Sequence, residues 1–449
     1  MNILRHILLI ALLAGPVAAA DLDLQEIFQT SEFKARFAAS YGVKSSVEPT
    51  ISQEEKQLLD EVAGILSTNL PAATLRLLEN LQTNSSAALD FTLGNFLFQQ
   101  NKLDDAARQY GVALLKMPDF LRAHKNLALI QFQQAEYQNS LASLLKSLAL
   151  GEVDELTFGL VGHCHFRLGH HASAESAYRR ALIFNPANAN WKQGLASTLI
   201  EQNRHAEAAA WLEELLVLKP DRADLWLAQA DTYLGREDVE RAAANYELLR
   251  RMGKASPGSL LNLGDIYVNQ GLPRTAVDTY LEALTKKPLP DLPRMLRVAR
   301  IILEQQRPQE SSRLVTALEK SYATKSDDLL RLKSRIAFSQ GDSQAAVNAL
   351  ESLVEQNPTD GETLILLGDH YAASTDKKQQ ERAALLYERA SRVEGFAARA
   401  MVQQAVMLVR RNQFEKAILI LKNAQAIDPK PNVADYLERL ERIFSISGK

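Results

Sequence analysis

PGSLLNLGDIYVNQGLPRTAVDTYLEALTKKPLP, residues 257–290, decides the fold. Leu260, Leu263 and Tyr267 recur at helical spacing in its first half, and Ala276, Tyr280 and Ala283 recur in its second. Gln270-Gly271-Leu272 lies between the two runs as a turn, and Pro288 closes the second, because proline lacks an N–H and clashes with the preceding turn. The stretch predicts two antiparallel helices of about 12 to 14 residues. Gly264 and Ala276 supply the small residues needed where two backbones approach. Leu263, Tyr267 and Tyr280 fill the space above and below that crossing.

Working outward, the same pattern returns. Gly94, Gly162 and Gly264 are separated by 68 and 102 residues, two and three times 34. Ala128, Ala196 and Ala230 stand at the intermediate steps. Twelve residues after each comes Ala106, Ser140, Ala174, Ala208, Ala242 or Ala276, and four further on a large residue: Tyr110, Leu144, Tyr178, Leu212, Tyr246 or Tyr280. Pro118, Pro186, Pro220 and Pro288 share one offset. Later units drift. One residue is added before Ala299, Ser374 to Gln380 lengthen a turn, and a last unit carries Ala405, Ala417, Leu421, Ala424 and Pro429. A fixed period of this length is the mark of a stacked array.

The spacing resembles the tetratricopeptide repeat, carried best by residues 155–188 (Gly162, Gly169, Ala174, Tyr178, Ala181, Pro186) and 257–290. The resemblance covers most of residues 52–446, with 52–82 as a degenerate first pair. It implies an all-α, right-handed α-solenoid of about ten helix-turn-helix units. Asn432 to Ile446 would form the capping helix that solvates the end of an open array.

Residues 1–20 read as a secretory signal: Arg5 and His6, an apolar run from Ile7 to Ala14, then Ala18-Ala19-Ala20. That run is too short to span a bilayer, and no later segment is apolar enough. The expectation is a chain exported to the periplasm and soluble there. Residues 21–51 form an arm with an amphipathic pattern (Leu24, Ile27, Phe28, Phe33, Phe37), and composition leaves a docked and a mobile state equally open. Cys164 is the lone cysteine, so no disulfide can form within the chain. A net charge of −3 offers no global basic field for phosphate backbones, which argues against nucleic acid as a partner.

One cluster invites chemistry: His163-Cys164-His165, then His170 and His171. Adjacent residues on a helix point about 100° apart, so the first three cannot converge on one ion. Cys164 falls where the repeat places a small buried residue. No Gly-x-Ser-x-Gly, phosphate-binding glycine loop or His-Glu-x-x-His is present. The expectation is no enzyme, no cofactor and no metal.

The resemblance implies that first helices line a concave groove and hold a protein or peptide there. Mapped onto this chain, the groove presents Phe91, Asn95, Phe98, Lys125, Phe132, Phe166 and Arg167, then Asp224, Asp231 and Asp265, then Arg297, Arg300, Arg331 and Arg335. Asn95 and Asn126 match the two Asn positions of the family's carboxylate clamp, but Phe91, Leu156 and Leu160 stand at its cationic positions. The resulting reading is a protein-interaction scaffold. Glu32 to Pro49 also resembles exported repeat proteins of TonB–ExbB–ExbD systems. A polysaccharide or envelope-assembly module is the alternative, and a metal-dependent enzyme around His163 and His165 is the third and least favoured.

Overall fold

The computed structural model describes residues 46–322 and 326–447. The signal and most of the arm lie outside the described residues. Every regular element among those described is an α-helix, and there are 23 of them. They fall into two compact units, residues 46–254 and 255–447.

The first unit holds six helical hairpins. They pair α1 (Gln53–Leu66) with α2 (Leu70–Asn80), α3 (Ala87–Gln99) with α4 (Leu103–Lys116), and α5 (Leu121–Gln133) with α6 (Tyr137–Ala149). Then α7 (Glu155–Arg167) pairs with α8 (His171–Phe184), α9 (Ala189–Glu201) with α10 (His205–Leu218), and α11 (Ala223–Gly235) with α12 (Val239–Arg251). The second unit has five hairpins and a final helix. It pairs α13 (Pro257–Asn269) with α14 (Pro273–Ala283), α15 (Leu292–Glu304) with α16 (Pro308–Tyr322), and α17 (Asp327–Gln340) with α18 (Gln344–Gln356). Next come α19 (Gly361–Ala372) with α20 (Lys377–Ser391), α21 (Ala397–Arg410) with α22 (Phe414–Ile427), and α23 (Pro431–Ser447) alone. The first helix of a hairpin is called A below, and the second B. Each unit is thus a run of α-solenoid.

Local chemistry sets the ends. Ser52 caps α1 through a capping box: its hydroxyl accepts from the Glu55 N–H at 3.1 Å, and the Glu55 carboxylate accepts from the Ser52 N–H at 2.9 Å. In nine of the eleven hairpins the A–B turn places one residue in the left-handed region at the same repeat position; the turns of α1–α2 and α19–α20 do not. Gly169 and Gly271 hold it without steric cost, whereas Ala135, Glu237 and Gln306 adopt φ near +60° despite a Cβ.

The crossing of A and B helices explains the small residues. A methyl group on Gly94 would lie 2.5 Å from the Tyr110 ring, on Gly162 2.8 Å from Tyr178, on Gly264 2.4 Å from Tyr280, and on Gly368 2.6 Å from Tyr387. Glycine is required because a fully buried tyrosine occupies the space a Cβ would take. Where Leu144, Leu212, Val315 or Leu421 replaces the aromatic, the crossing carries Ala128, Ala196, Ala299 or Ala405. Ala230 beside Tyr246 departs from this pairing. In the second unit Leu440 of α23 is buried against Ala405, Leu408, Ala417 and Leu421, closing that end of the core.

Part of the arm has a defined place in the first unit. The Leu121 N–H at the start of α5 donates to the Val47 carbonyl at 3.1 Å. The Arg122 Nε donates to both oxygens of Glu48 at 2.8 and 2.9 Å.

Candidate partner-binding face

The A helices carry the candidate face, and one repeat position organises it. The residue after the crossing residue is Asn95, Asp231, Asp265 or Asp369 in four hairpins whose B helix bears a tyrosine. The tyrosine hydroxyl donates to that side chain each time: Tyr110 to Asn95 at 2.7 Å, Tyr280 to Asp265 at 2.6 Å, Tyr387 to Asp369 at 2.7 Å, and Tyr246 to Asp231. Desolvation pushes the Asp231, Asp265 and Asp369 carboxyls above their ordinary value, and the phenols pull them part of the way back. Asp231 and Asp265 are therefore not open floor. Each is pinned by its own hairpin, and Asp265 also accepts from Arg294 at 2.6 Å.

Tyr178 is the exception. His163 stands at the partner position, and among the described residues the Tyr178 hydroxyl is buried without a hydrogen bond. Tyr178→Phe should therefore leave stability unchanged or raise it, because no bond is lost and a buried polar atom is removed. Tyr110→Phe should lower stability by about 1 kcal/mol. Chemical denaturation of both variants checks this, and equal losses would contradict the assignment.

The other expected groove residues of the first unit divide by environment. Phe91 is buried against Tyr110 and Phe120, with ring centroids at 5.5 and 4.8 Å, and Phe132 is buried against Tyr137 and His163 at 5.8 and 5.1 Å. These two belong to the core between hairpins. Phe98 and Phe166 are half-buried at its edge. Asn95 is buried and also accepts from the Asn126 amide at 2.9 Å, so the two asparagines at clamp positions bond each other. Lys125 bridges Glu152 and Asp154, the latter at 2.9 Å. Against the desolvation that would raise it, the Lys125 ammonium and the Thr157 N–H hold Asp154 at about 2. The Arg167 guanidinium lies 4.8 Å from the Tyr137 ring centroid, and Asp224 pairs with Arg222.

His163 packs on Phe132 and Tyr137, while His165 faces His170 across 3.4 Å. Burial keeps the Cys164 thiol protonated, pushed up to about 11. The side chains of this run point into different surroundings, as the helical geometry requires.

In the second unit the arginines separate into tied and untied. Arg331 pairs with Asp360 at 2.5 Å and Asp328 at 2.8 Å. Arg335 pairs with Glu362 at 3.1 Å. Burial lowers Arg335 from its ordinary value, Glu362 opposes this, and the Arg399 and Arg300 guanidiniums add to the lowering. Arg297 is exposed and Arg300 half-buried, and neither has an ion-pair partner among the described residues. Sequence reasoning missed Arg399, an exposed residue of α21. The available signal was its repeat position, six residues before Ala405, which matches Arg122 six before Ala128.

Two family models, each described as tetratricopeptide repeat, match this chain: one over residues 165–231, the other over residues 91–155 and 227–290. A curated relative, cellulose synthase operon protein C of Pseudomonas fluorescens (strain SBW25), is 22% identical over 418 residues. The alignment takes in 80% of this chain and 32% of the relative, so the chain spans about a third of that protein's length. Among solved structures, a tetratricopeptide repeat protein from Parabacteroides merdae is 18% identical with a TM-score of 0.36, covering 56% of this chain and 100% of its own. YrrB, a TPR protein with an unusual peptide-binding site, is 19% identical with a TM-score of 0.39, covering 42% of this chain and 96% of its own. No helix among the described residues is long and apolar enough to cross a membrane.

Proposed function

This chain is a tetratricopeptide-repeat protein, and on that premise we propose that it is a non-catalytic scaffold which receives an extended segment of a partner protein along its A-helix face. One observation carries the reading. Val47 and Glu48, in a turn ahead of α1, already lie against the start of an A helix, through a backbone hydrogen bond to Leu121 and a two-oxygen contact to Arg122. A partner segment would use the same two kinds of bond. The proposed setting is the periplasm, after removal of residues 1–20. The likeness of residues 32–49 to TonB-associated repeat proteins directs the first partner search to that machinery.

The test is site-specific photo-crosslinking in the native host, with a crosslinking residue at Phe98 or Phe166 on A helices, or at Leu115 or Ile183 on B helices. The last two are 84% and 76% exposed, so they are fully able to capture anything that touches them. Partner adducts from the A-helix positions support the reading. Adducts from the B-helix positions alone overturn it.

The similarity to a cellulose synthase operon protein favours a second reading, a module for envelope or polysaccharide assembly. Direct retention of the purified chain on a glucan matrix, with no protein adduct, would select that reading.

A further inference from the structure

We propose that the A-helix face of the second unit binds an acidic peptide segment, whose carboxylates pair with Arg300, Arg335 and Arg399. This rests on the A-helix face being the binding face, and adds the chemistry of the ligand.

The repeat chemistry makes the first argument. A tyrosine on the B helix accompanies an acid on the A helix at Asp231, Asp265 and Asp369. In the two hairpins of α15–α16 and α17–α18 both partners change together. Val315 and Leu350 replace the tyrosine, and Arg300 and Arg335 replace the acid. With no phenol to hold it, the position carries a long cation instead of a pinned anion.

Charge accounting makes the second. Arg294 is matched by Asp265, and Arg331 by Asp328 and Asp360. Arg335 has one ion-pair partner, Glu362, and feels the Arg399 and Arg300 cations more than it feels Asp369. Arg300 and Arg399 have no ion-pair partner among the described residues, and the Arg300 Nε is buried without a hydrogen bond. A buried guanidinium N–H left unpaired is costly, and a carboxylate satisfies it with a charge-assisted bond. Asp369 faces Arg335, Arg399 and Arg410, so acids are outnumbered on this face.

The third argument comes from the other unit. Arg399 and Arg122 share one repeat position, and Arg122 takes the carboxylate of Glu48 from a turn outside the repeats. The first unit thus displays the contact that Arg399 lacks. Successive A helices pack about 10 Å apart, and an extended peptide advances about 3.3 Å per residue. A segment with acids about three residues apart would meet Arg300 and Arg335 on the successive A helices α15 and α17, and an acid about six residues further on would meet Arg399 on α21, beyond α19.

The experiment is fluorescence anisotropy on the signal-cleaved full chain. The probe is a labelled ten-residue peptide with Glu at every third position, set against its Gln counterpart. Binding of the Glu peptide should be at least tenfold tighter and weaken with salt. The triple variant Arg300→Gln/Arg335→Gln/Arg399→Gln should lose at least tenfold, and Arg108→Gln on a B helix with Arg392→Gln just past the end of another should lose nothing. Arg300→Gln alone should melt at or above the parent temperature, because Arg300 has no ion-pair partner among the described residues, whereas Arg335 is paired with Glu362. Equal binding of Glu and Gln peptides, an unaffected triple variant, or a markedly lower melting temperature of Arg300→Gln would each overturn the proposal. So would tighter binding of alginate oligomers or single-stranded DNA, which would assign the site to another polyanion. If A-helix crosslinks persist while the Glu peptide fails, only this inference falls. If those crosslinks fail, the scaffold reading falls with it.

Discussion

Arg294→Met is expected to destabilise the protein by about 3 kcal/mol at neutral pH, and by less in mild acid. Asp265 is only 1% exposed and depends on two donors, the Tyr280 hydroxyl and the Arg294 guanidinium. Removing the cation leaves a buried carboxylate with one neutral hydrogen bond, and the methionine stem keeps most of the packing. Desolvation already raises the Asp265 carboxyl above its ordinary value while Arg294 pulls it down, so the variant raises it further. The sign of the pH effect follows. Between the unfolded value, about 4, and the raised folded value, the native state binds more protons than the unfolded chain. Stability of the variant therefore falls as pH rises through that window and stays low above it. Denaturant titrations at pH 7 and pH 4.5 should show the deficit shrinking in acid. A deficit below 1 kcal/mol at pH 7, or one independent of pH, would mean that Asp265 is not held as described.

Gly264→Leu should cost about 3 kcal/mol, the upper end for overpacking a crossing, because even its first carbon would stand 2.4 Å from the Tyr280 ring. The ring cannot yield cheaply: Tyr280 is fully buried and its hydroxyl is tied to Asp265. Gly111 provides the opposite case. It lies inside α4, and an added methyl group would meet nothing within 4 Å. Gly111→Ala should stabilise by up to about 1 kcal/mol through helix propensity alone. Thermal melting of both variants separates glycine needed for space from glycine that is merely tolerated. Identical shifts would mean the hairpin register is wrong.

The hairpins were legible because their physics is periodic. Gly264, Ala276 and Tyr280 recur at fixed steps since each crossing must solve the same packing problem. The Tyr–Asp bond was equally present in the sequence, 15 residues apart at Asp231–Tyr246 and Asp265–Tyr280, but the lengthened turn stretches Asp369–Tyr387 to 18. The face was harder to read. Phe91 shares α3 with Phe98, yet an A helix touches its own B helix and its neighbours on both sides, so a small angular difference decides between core and its edge. The neutralisation of Lys125 depends on Glu152 and Asp154, which a whole B helix separates from it in sequence. Only the folded arrangement brings them together, and only it leaves Arg300 and Arg399 without an ion-pair contact among the described residues.

Within each unit, helices in substantial contact are adjacent in sequence or next but one. Apart from Val47 and Glu48, which meet α5, no element made early waits for a distant helix to complete it. As the chain leaves the ribosome, amino end first, each new pair of helices finds its docking surface already formed by the pair before it. Synthesis and assembly can then advance at one pace, with little sticky surface waiting in the open and few wrong partnerships to undo.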